Sequence, residues 1–460
     1  MADSASFDII VVGLGPGGEA LAARLAKAGL SVLGIDKGLV GGECPYWGCV
    51  PSKMMVRAAD SLGEARRVEH LAGTVGDVRP DWSPVARRIR DEATDDWDDR
   101  VAVKRLTDAG VTFVRGHGQL VSSTEVDVGE LSYRATRGIV VATGSTAAVP
   151  GIDGLGDIEY WTNHQFVEAE ELPESLLVLG GGAIGCELSQ VAARFGVRVT
   201  VVEAADRLLA LEEPAASDVV AKALREDGID VRVGVSADAV EGDGPGGAAR
   251  VRLVDGSTVE ADRVLVATGR RVDVHAVGLD ALGLDGLNEN ARAVPVDEWC
   301  RVTDGVWAIG DVTGKGAFTH VSMYQADVVA RDVLGLGGPP ADYAAVPRVT
   351  FTDPEVGAVG LTEKAARERY AHVRVGTAEV ASSTRGWIHG PGNAGFITLV
   401  DDADRGVLVG ATSAGPTGGE VLGLLALAVH AQVPVSTLES MIYAYPTFHR
   451  GVQDALRALA

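Results

Sequence analysis

Phe7-Asp8-Ile9-Ile10-Val11-Val12-Gly13-Leu14-Gly15-Pro16-Gly17-Gly18 is a short apolar run that passes directly into a glycine cluster. The run reads as a buried strand, and the Ala/Leu-rich stretch that follows, to about Ala28, reads as a helix. A second strand is expected over Ser31–Ile35, ending in Asp36, 23 positions after Gly13. Strand, glycine turn, helix, strand and acid in this order match a dinucleotide-binding unit. Gly13 makes the turn, Gly15 admits a pyrophosphate to the helix N-terminus, Gly18 lets helix and strand pack closely, and Asp36 accepts from a ribose hydroxyl.

The unit recurs. Ser175–Leu179 reads as a strand, Gly180-Gly181-Gly182-Ala183-Ile184-Gly185 as the turn, Glu187–Phe195 as a helix and Val197–Val202 as the next strand, with Glu203 as the acid 23 positions after Gly180. Gly180, Gly182 and Gly185 take the three glycine roles, and two bound dinucleotides are expected. A carboxylate at Glu203 suits the free 2′-hydroxyl of NAD and repels the 2′-phosphate of NADP. Arg207 stands close enough in sequence to soften that preference, or is a solvated surface charge.

Outward from these units, two further apolar strands, Ile139–Val141 and Val264–Val266, end in matching tripeptides, Ala142-Thr143-Gly144 and Ala267-Thr268-Gly269. Thr143 and Gly144 are expected at the first nucleotide and Gly269 at the second. Val306–Asp311 is another strand, and its closing Asp311 can reach a bound cofactor. Asp81–Asp108 reads as a charged, helical scaffold stretch, and Val240–Ala249 as a Gly-rich hairpin loop. From about Pro340 the texture changes. Val349–Val359 and Phe396–Val400 read as strands and Gly419–Ala431 as a long apolar helix, forming a separate α+β unit.

Composition agrees with a multidomain α/β enzyme. At 460 residues the chain exceeds one ordinary core, and 46% hydrophobic residues with 59 glycines fit a globular protein rich in tight turns. A formal charge of −23 disfavours nucleic acid and anionic membrane as partners, leaving small-molecule chemistry. Four cysteines are too few for a disulfide scaffold, the start of the chain lacks a secretory leader, and no apolar run reaches membrane-spanning length; a cytoplasmic location is expected.

Two of the cysteines lie in Gly41-Gly42-Glu43-Cys44-Pro45-Tyr46-Trp47-Gly48-Cys49-Val50-Pro51-Ser52-Lys53. In a straight helix, Cα atoms five positions apart would be roughly 8–9 Å from each other, beyond the roughly 7 Å a disulfide tolerates. Pro45 and Gly48 can supply a break, after which Pro51 opens a regular helix with Lys53 in its first turn. A reachable disulfide beside a helix N-terminus is redox-labile. On spacing alone, a pair of buried free thiols or a metal pair fits equally.

Taken together, the Gly41–Lys53 stretch, both GxGxxG units, both Ala-Thr-Gly tripeptides, Ala308-Ile309-Gly310-Asp311 and Thr352-Asp353-Pro354-Glu355 resemble the class I flavoprotein disulfide reductases. The likeness covers essentially the whole chain. It implies two Rossmann-like dinucleotide-binding domains plus a C-terminal α+β dimerisation domain. FAD would bind over residues 1–150 and 270–340, a nicotinamide nucleotide over 151–269, and the dimer would form through 341–460. Cys49 would face the flavin as the charge-transfer thiolate, and Cys44 would be the interchange thiol that meets a small-molecule substrate. Lys53 would lie by the flavin and pair with Glu187. Asp36 would bind the FAD ribose, Asp311 its ribitol, and Gly118 would offer a backbone contact.

The chain also departs from that pattern. Where relatives that reduce organic disulfides carry a His-Pro-Thr acid/base motif and a following glutamate, this chain has Ala444-Tyr445-Pro446-Thr447-Phe448-His449-Arg450. Tyr445 takes the place of the base and Arg450 that of the glutamate; His449 is either a substitute base or an interface residue. Mercuric reductases share the tyrosine, but they end in a cysteine pair, whereas this sequence ends Arg457-Ala458-Leu459-Ala460. His320 is expected to pack near the flavin. Glu43 replaces a threonine and should disfavour a neighbouring thiolate by like charge. Pro45-Tyr46-Trp47 would form a stacking wall for a flat substrate or simply pack. Ala183 replaces the aromatic gate of some relatives. The expected activity is NAD(P)H-dependent, NADH-preferring reduction of a thiol- or disulfide-type substrate through Cys44–Cys49; the alternative is direct transfer from flavin to a quinone.

Overall fold

The computed structural model describes residues 5–242, 247–275, 277–283 and 291–459. Residues 2–4, residues 243–246 of the Gly-rich hairpin loop and Ala460 lie outside the described residues. The chain divides into two compact units, one of residues 1–51, 88–147 and 270–343, the other of residues 52–87, 148–269 and 344–460.

In the first unit the strand β1 (Ala5–Val12) lies between β2 (Val32–Asp36) and the strand Leu131–Val141, parallel to both. Val111–Arg115 extends the sheet beyond β2 and Val306–Ala308 beyond Leu131–Val141, again in parallel. The chain therefore leaves β1 toward one side and later returns on the other. Such a switch point opens a crevice at the strand's carboxyl end, where the Gly13 turn sits. Helix α1 (Pro16–Lys27) buries Leu21, Ala22 and Leu25 against this sheet and against the Thr319–Leu334 helix. The second unit repeats the arrangement in a four-stranded parallel sheet, with Ser175–Leu179 between Arg198–Glu203 and Arg263–Val266. It also holds an antiparallel five-stranded sheet, Pro347–Thr350, Glu355–Gly360, Val407–Gly415, Phe396–Asp402 and Val373–Glu379, packed under the apolar helix Gly418–His430.

Five local readings of the sequence change, the first being Val306–Asp311, whose strand ends at Ala308 while Asp311 opens a short 3-10 turn. The second glycine turn feeds a helix that begins at Ala183, four residues before the expected start, because Gly182 already supplies an extended N-cap. Its next strand runs Arg198–Glu203. Val349–Val359 is two strands, since Phe351–Pro354 makes a turn whose Asp353–Pro354 bond is cis. Asp81–Asp108 is two helices, Ser83–Arg88 and Arg100–Asp108, joined by a wider π turn and by three consecutive residues with positive φ, Asp95, Asp96 and Trp97.

Within the second unit one buried guanidinium ties distant segments. Arg194, 2% exposed, donates to Asp60 at 2.8 Å, Asp227 at 3.0 Å and Asp353 at 2.7 Å, while Arg67 also donates to Asp353. An added Cβ at Gly63 would come 3.0 Å from the Arg194 Cζ, so that glycine makes the space. Burial pushes the Asp60 carboxyl up to about 6, outweighing the attraction of Arg194. The folded chain thus holds this proton more tightly than the unfolded one. Protonated Asp60 favours the fold below about pH 4, and that contribution is lost as pH rises to about 6.

Two outcomes are expected. In protein stripped of FAD, Gly18→Ala, whose Cβ would lie 2.1 Å from the Gly13 carbonyl oxygen, should lower stability by about 2 kcal/mol or more in denaturant melts, whereas Gly15→Ala, with open space around it, should melt like the wild type. Asp60→Asn should alter how the melting temperature changes between pH 4 and 6, removing the loss the wild type suffers as pH rises across that range.

Candidate active site

The two glycine turns are built alike. An added Cβ would lie 2.4 Å from the Ala142 oxygen at Gly13 and 2.3 Å from the Ala267 oxygen at Gly180. Both residues have positive φ, +97° and +112°, which glycine adopts without strain. Gly18 and Gly185 sit against the carbonyls of Gly13 and Gly180, at 2.1 and 2.0 Å from where a Cβ would be. At Gly15 and Gly182, by contrast, a Cβ would meet nothing within 4 Å. Each turn therefore presents an open helix N-terminus to an approaching phosphate, which fits a bound dinucleotide.

Each acid is locked onto its own turn. Asp36 accepts from the Leu14 N–H at 2.6 Å and the Gly38 N–H at 2.7 Å, and Glu203 accepts from the Gly181 N–H at 2.5 Å and the Ala205 N–H at 2.7 Å. An ionised carboxylate has about four acceptor positions, so both acids keep capacity for a ribose. Arg207 is neither a solvated charge nor free to meet a phosphate. Its guanidinium donates to the carbonyls of Leu209, Ala210 and Glu212, stapling the loop beyond the strand. Gly144 and Gly269, each with positive φ, have open space where a side chain would be, and Thr143 is exposed. Gly118 packs against Val12 and Ile35.

The cysteine stretch folds as two helices with a gap. Helix α2 (Glu43–Tyr46) stops at Trp47, and helix α3 (Cys49–Arg67) starts with Cys49, two residues before Pro51. At Gly48 a Cβ would lie 3.2 Å from the Cys44 Cα and 3.1 Å from the Glu43 oxygen, so glycine permits the fold-back. Gly42 passes close to the first turn, its missing Cβ 2.9 Å from the Gly15 Cα. Cys44 is half-buried and Cys49 exposed, and no disulfide joins them. They share a hydrogen bond, which is the largest cause holding the Cys44 thiol well above the usual range; burial adds, and the Thr319 hydroxyl opposes. Thr319 Oγ1 is 3.5 Å from the Cys49 sulfur. Cys49 also opens a 19-residue helix, whose N-terminal dipole favours a thiolate.

Sequence reasoning missed two features around this pair. Arg270 Nη1 lies 3.5 Å from the Glu43 carboxylate, so the like charge expected to oppose a thiolate is balanced by a cation. The same guanidinium donates to the hydroxyl and carbonyl oxygens of Ser145 at 2.7 Å, and the Ser145 hydroxyl donates to Asp311 at 2.5 Å. Glu43, Ser145, Arg270 and Asp311 thereby form one network from residues up to 268 positions apart. Tyr46 is buried and packs in the protein interior, while Trp47 is half-buried beside it, ring centres 5.9 Å apart.

In the second unit Lys53 Nζ donates to Glu187 at 2.5 Å and lies 4.5 Å from the centre of the Phe351 ring. Glu187 is buried, and its other oxygen accepts from the Phe351 N–H at 2.8 Å. Losing the lysine would strand a buried carboxylate. Ala183 is exposed at the head of the same helix. Tyr445 is 65% exposed; its hydroxyl donates to Thr384 at 3.1 Å and Arg450 stacks on its ring at 5.4 Å. His449 is 3.4 Å from the Thr447 hydroxyl. His320 stacks on Phe318 in the first unit. Among the described residues no cluster of three or more His, Cys, Asp or Glu side chains is arranged to hold a metal ion, and no helix is long and apolar enough to cross a membrane.

Comparison with known proteins agrees with these features. Residues 7–326 match the pyridine nucleotide-disulphide oxidoreductase family, and residues 346–456 match the dimerisation domain of the same family. The chain is 33% identical to dihydrolipoyl dehydrogenase of Chlorobaculum tepidum over 98% of its length and 97% of the relative's. It is 29% identical to mercuric reductase of Bacillus cereus, over 99% of this chain and 72% of that one. Among solved structures, the HOCl-induced flavoprotein disulfide reductase RclA of Escherichia coli, in a Cu(II) complex, superposes with a TM-score of 0.85 at 26% identity, over 98% of this chain and 99% of the other. Paired glycine turns, a broken helix between two cysteines and matches of this extent have one meaning: the chain belongs to the pyridine nucleotide-disulphide oxidoreductase family.

Proposed function

We propose that the chain takes reducing equivalents from NADH and delivers them through Cys44 and Cys49 to a disulfide or similarly thiol-reactive small molecule. The observation that carries this reading is the interrupted helix, which puts two thiols in hydrogen-bonding contact at a helix N-terminus. As a family member the chain is an oxidoreductase that uses FAD and NAD(P)H. The flavin, when bound, supplies a two-electron relay between nicotinamide and a disulfide. Residues 1–150 and 270–340 would hold it, residues 151–269 the nicotinamide nucleotide, and residues 341–460 would pair two subunits in the cytoplasm.

The residues take the following parts. Gly13, Gly15, Gly18, Asp36, Gly118, Thr143, Gly144 and Asp311 hold FAD, and Gly180, Gly182, Gly185, Glu203 and Gly269 hold NADH. Glu187 keeps the Lys53 ammonium in place, and that charge favours anionic partners beside it. Cys44 is the thiol that meets substrate and Cys49 the partner that closes the disulfide behind it. The reaction balances as NADH, a proton and one substrate disulfide giving NAD+ and two thiols. Tyr445 is at most a hydrogen-bond donor, since a phenol is a poor base near neutrality and Arg450 stacks on its ring. With no imidazole at that place to protonate the departing group, disulfides whose leaving thiol is acidic are the better substrates.

Anaerobic titration with NADH checks the central claim: the wild type should take up four electrons with long-wavelength thiolate–flavin absorbance after two, and two alkylatable thiols should appear. Cys44→Ser should abolish disulfide turnover, and full reduction after two electrons in the wild type would refute the role of the pair. For the coenzyme, Glu203→Ala should raise NADPH use relative to NADH about tenfold, equivalent to about 1.4 kcal/mol of relieved repulsion. Arg207→Ala should leave that ratio unchanged in steady-state kinetics, because its guanidinium is committed to three carbonyls.

A further inference from the structure

Asp95, Asp96 and Trp97 have φ of +50°, +56° and +54°. No glycine relieves them, and the left-handed region brings the Cβ of an L-residue too close to its following carbonyl oxygen. Three in succession persist only where surrounding bonds over-determine them. Here the Asp96 N–H donates to the Arg90 carbonyl at 2.7 Å, and the Thr94 hydroxyl, buried, donates to the carbonyls of Ile89 and Arg90.

The turn delivers two contacts to the cysteine stretch, both within the first unit. Trp97 Nε1 donates to the Tyr46 carbonyl at 3.3 Å. Asp99, buried, accepts from the Val40 N–H at 2.7 Å and is held by Arg115 at 2.5 Å. Val40 precedes Gly41, and Tyr46 closes helix α2, so the two anchors bracket the segment that carries Cys44. In a continuous helix the Tyr46 carbonyl would accept from the Val50 N–H. Interrupting the helix at Trp47 and Gly48 gives up that bond, and the indole replaces it.

We propose that Trp97 and Asp99 are positioning residues that hold this stretch in its interrupted form, and that they thereby set the equilibrium between the Cys44–Cys49 disulfide and the dithiol. Straightening the stretch would separate the two Cα atoms beyond disulfide reach, so whatever favours the interruption favours the oxidised pair. The couple concerned is disulfide plus two electrons and two protons giving two thiols, with dithiothreitol and its cyclic disulfide as the exchange partner in the test. The proposal rests on the redox role given above to the pair.

The test uses the full-length, FAD-loaded enzyme, equilibrated anaerobically in dithiothreitol redox buffers, acid-quenched and counted for alkylated thiols. Trp97→Phe keeps an aromatic ring and removes only the donor. It should move the equilibrium toward the dithiol about fivefold, which is about 20 mV for a two-electron couple. Asp99→Asn should shift it in the same direction. Trp97→Gly, which accepts the backbone angle freely, should give the same shift in a protein at least as stable as Trp97→Phe, so a fold defect does not mimic the result. A wild-type pair that cycles, with the variants matching it, overturns the clamp alone. A wild-type pair that never forms a disulfide overturns the redox role and the clamp with it.

Discussion

A helix that must stop between two cysteines governs the arrangement of the first unit. Backbone hydrogen bonding favours continuing a helix once it has begun, so the stop at Trp47 and Gly48 needs support from outside. Gly48 supplies the absence of a side chain where the chain folds back on Cys44, and Gly42 does the same where the stretch passes Gly15. The first glycine turn and the cysteine stretch are thus in van der Waals contact through two glycines. Position, more than any perturbed side chain, is what prepares the site.

The second unit uses a different device. The helix Ala183–Arg194 turns one face toward the Phe351–Asp353 segment and meets it with three residues one helical turn apart. Glu187 accepts from the Phe351 N–H, Gln190 exchanges bonds with the Asp353 backbone, and Arg194 grips the Asp353 side chain. The Lys53 ammonium is therefore fixed at second hand, by a carboxylate that a row of polar contacts holds in register. Such a row is costly to leave half made, which gives the unit a defined geometry around one buried cation.

Much of this was legible in the residues. Glycine spacing and the acid 23 positions on located both glycine turns and the carboxylates that close on them, because a turn that excludes every Cβ can be met by one residue only. Pro45 and Gly48 announced the break between the cysteines, and the pairing of Lys53 with Glu187 followed from the resemblance. Contacts between side chains far apart in sequence were hidden: nothing near Glu43 points to Arg270, and nothing near Tyr46 points to Trp97. Arg207 was misjudged since carbonyl acceptors leave no mark in a sequence. The run Val349–Val359 hid a turn, although Asp353-Pro354 within it was a reason to doubt one unbroken strand.

The two acid locks differ in one detail. Leu14 occupies in the first turn the place that Gly181 holds in the second, and a Cβ at Gly181 would lie 3.1 Å from the Glu203 Cβ and 2.4 Å from a methyl of Leu208. The shorter Asp36 coexists with a leucine, while the longer Glu203 is accompanied by a residue with no side chain at all. Bareness at position 181 is therefore what lets the Leu208 methyl and the Glu203 stem close over the second turn, and a side chain gained there would have to displace one of them before the acid could keep its hold on the Gly181 N–H.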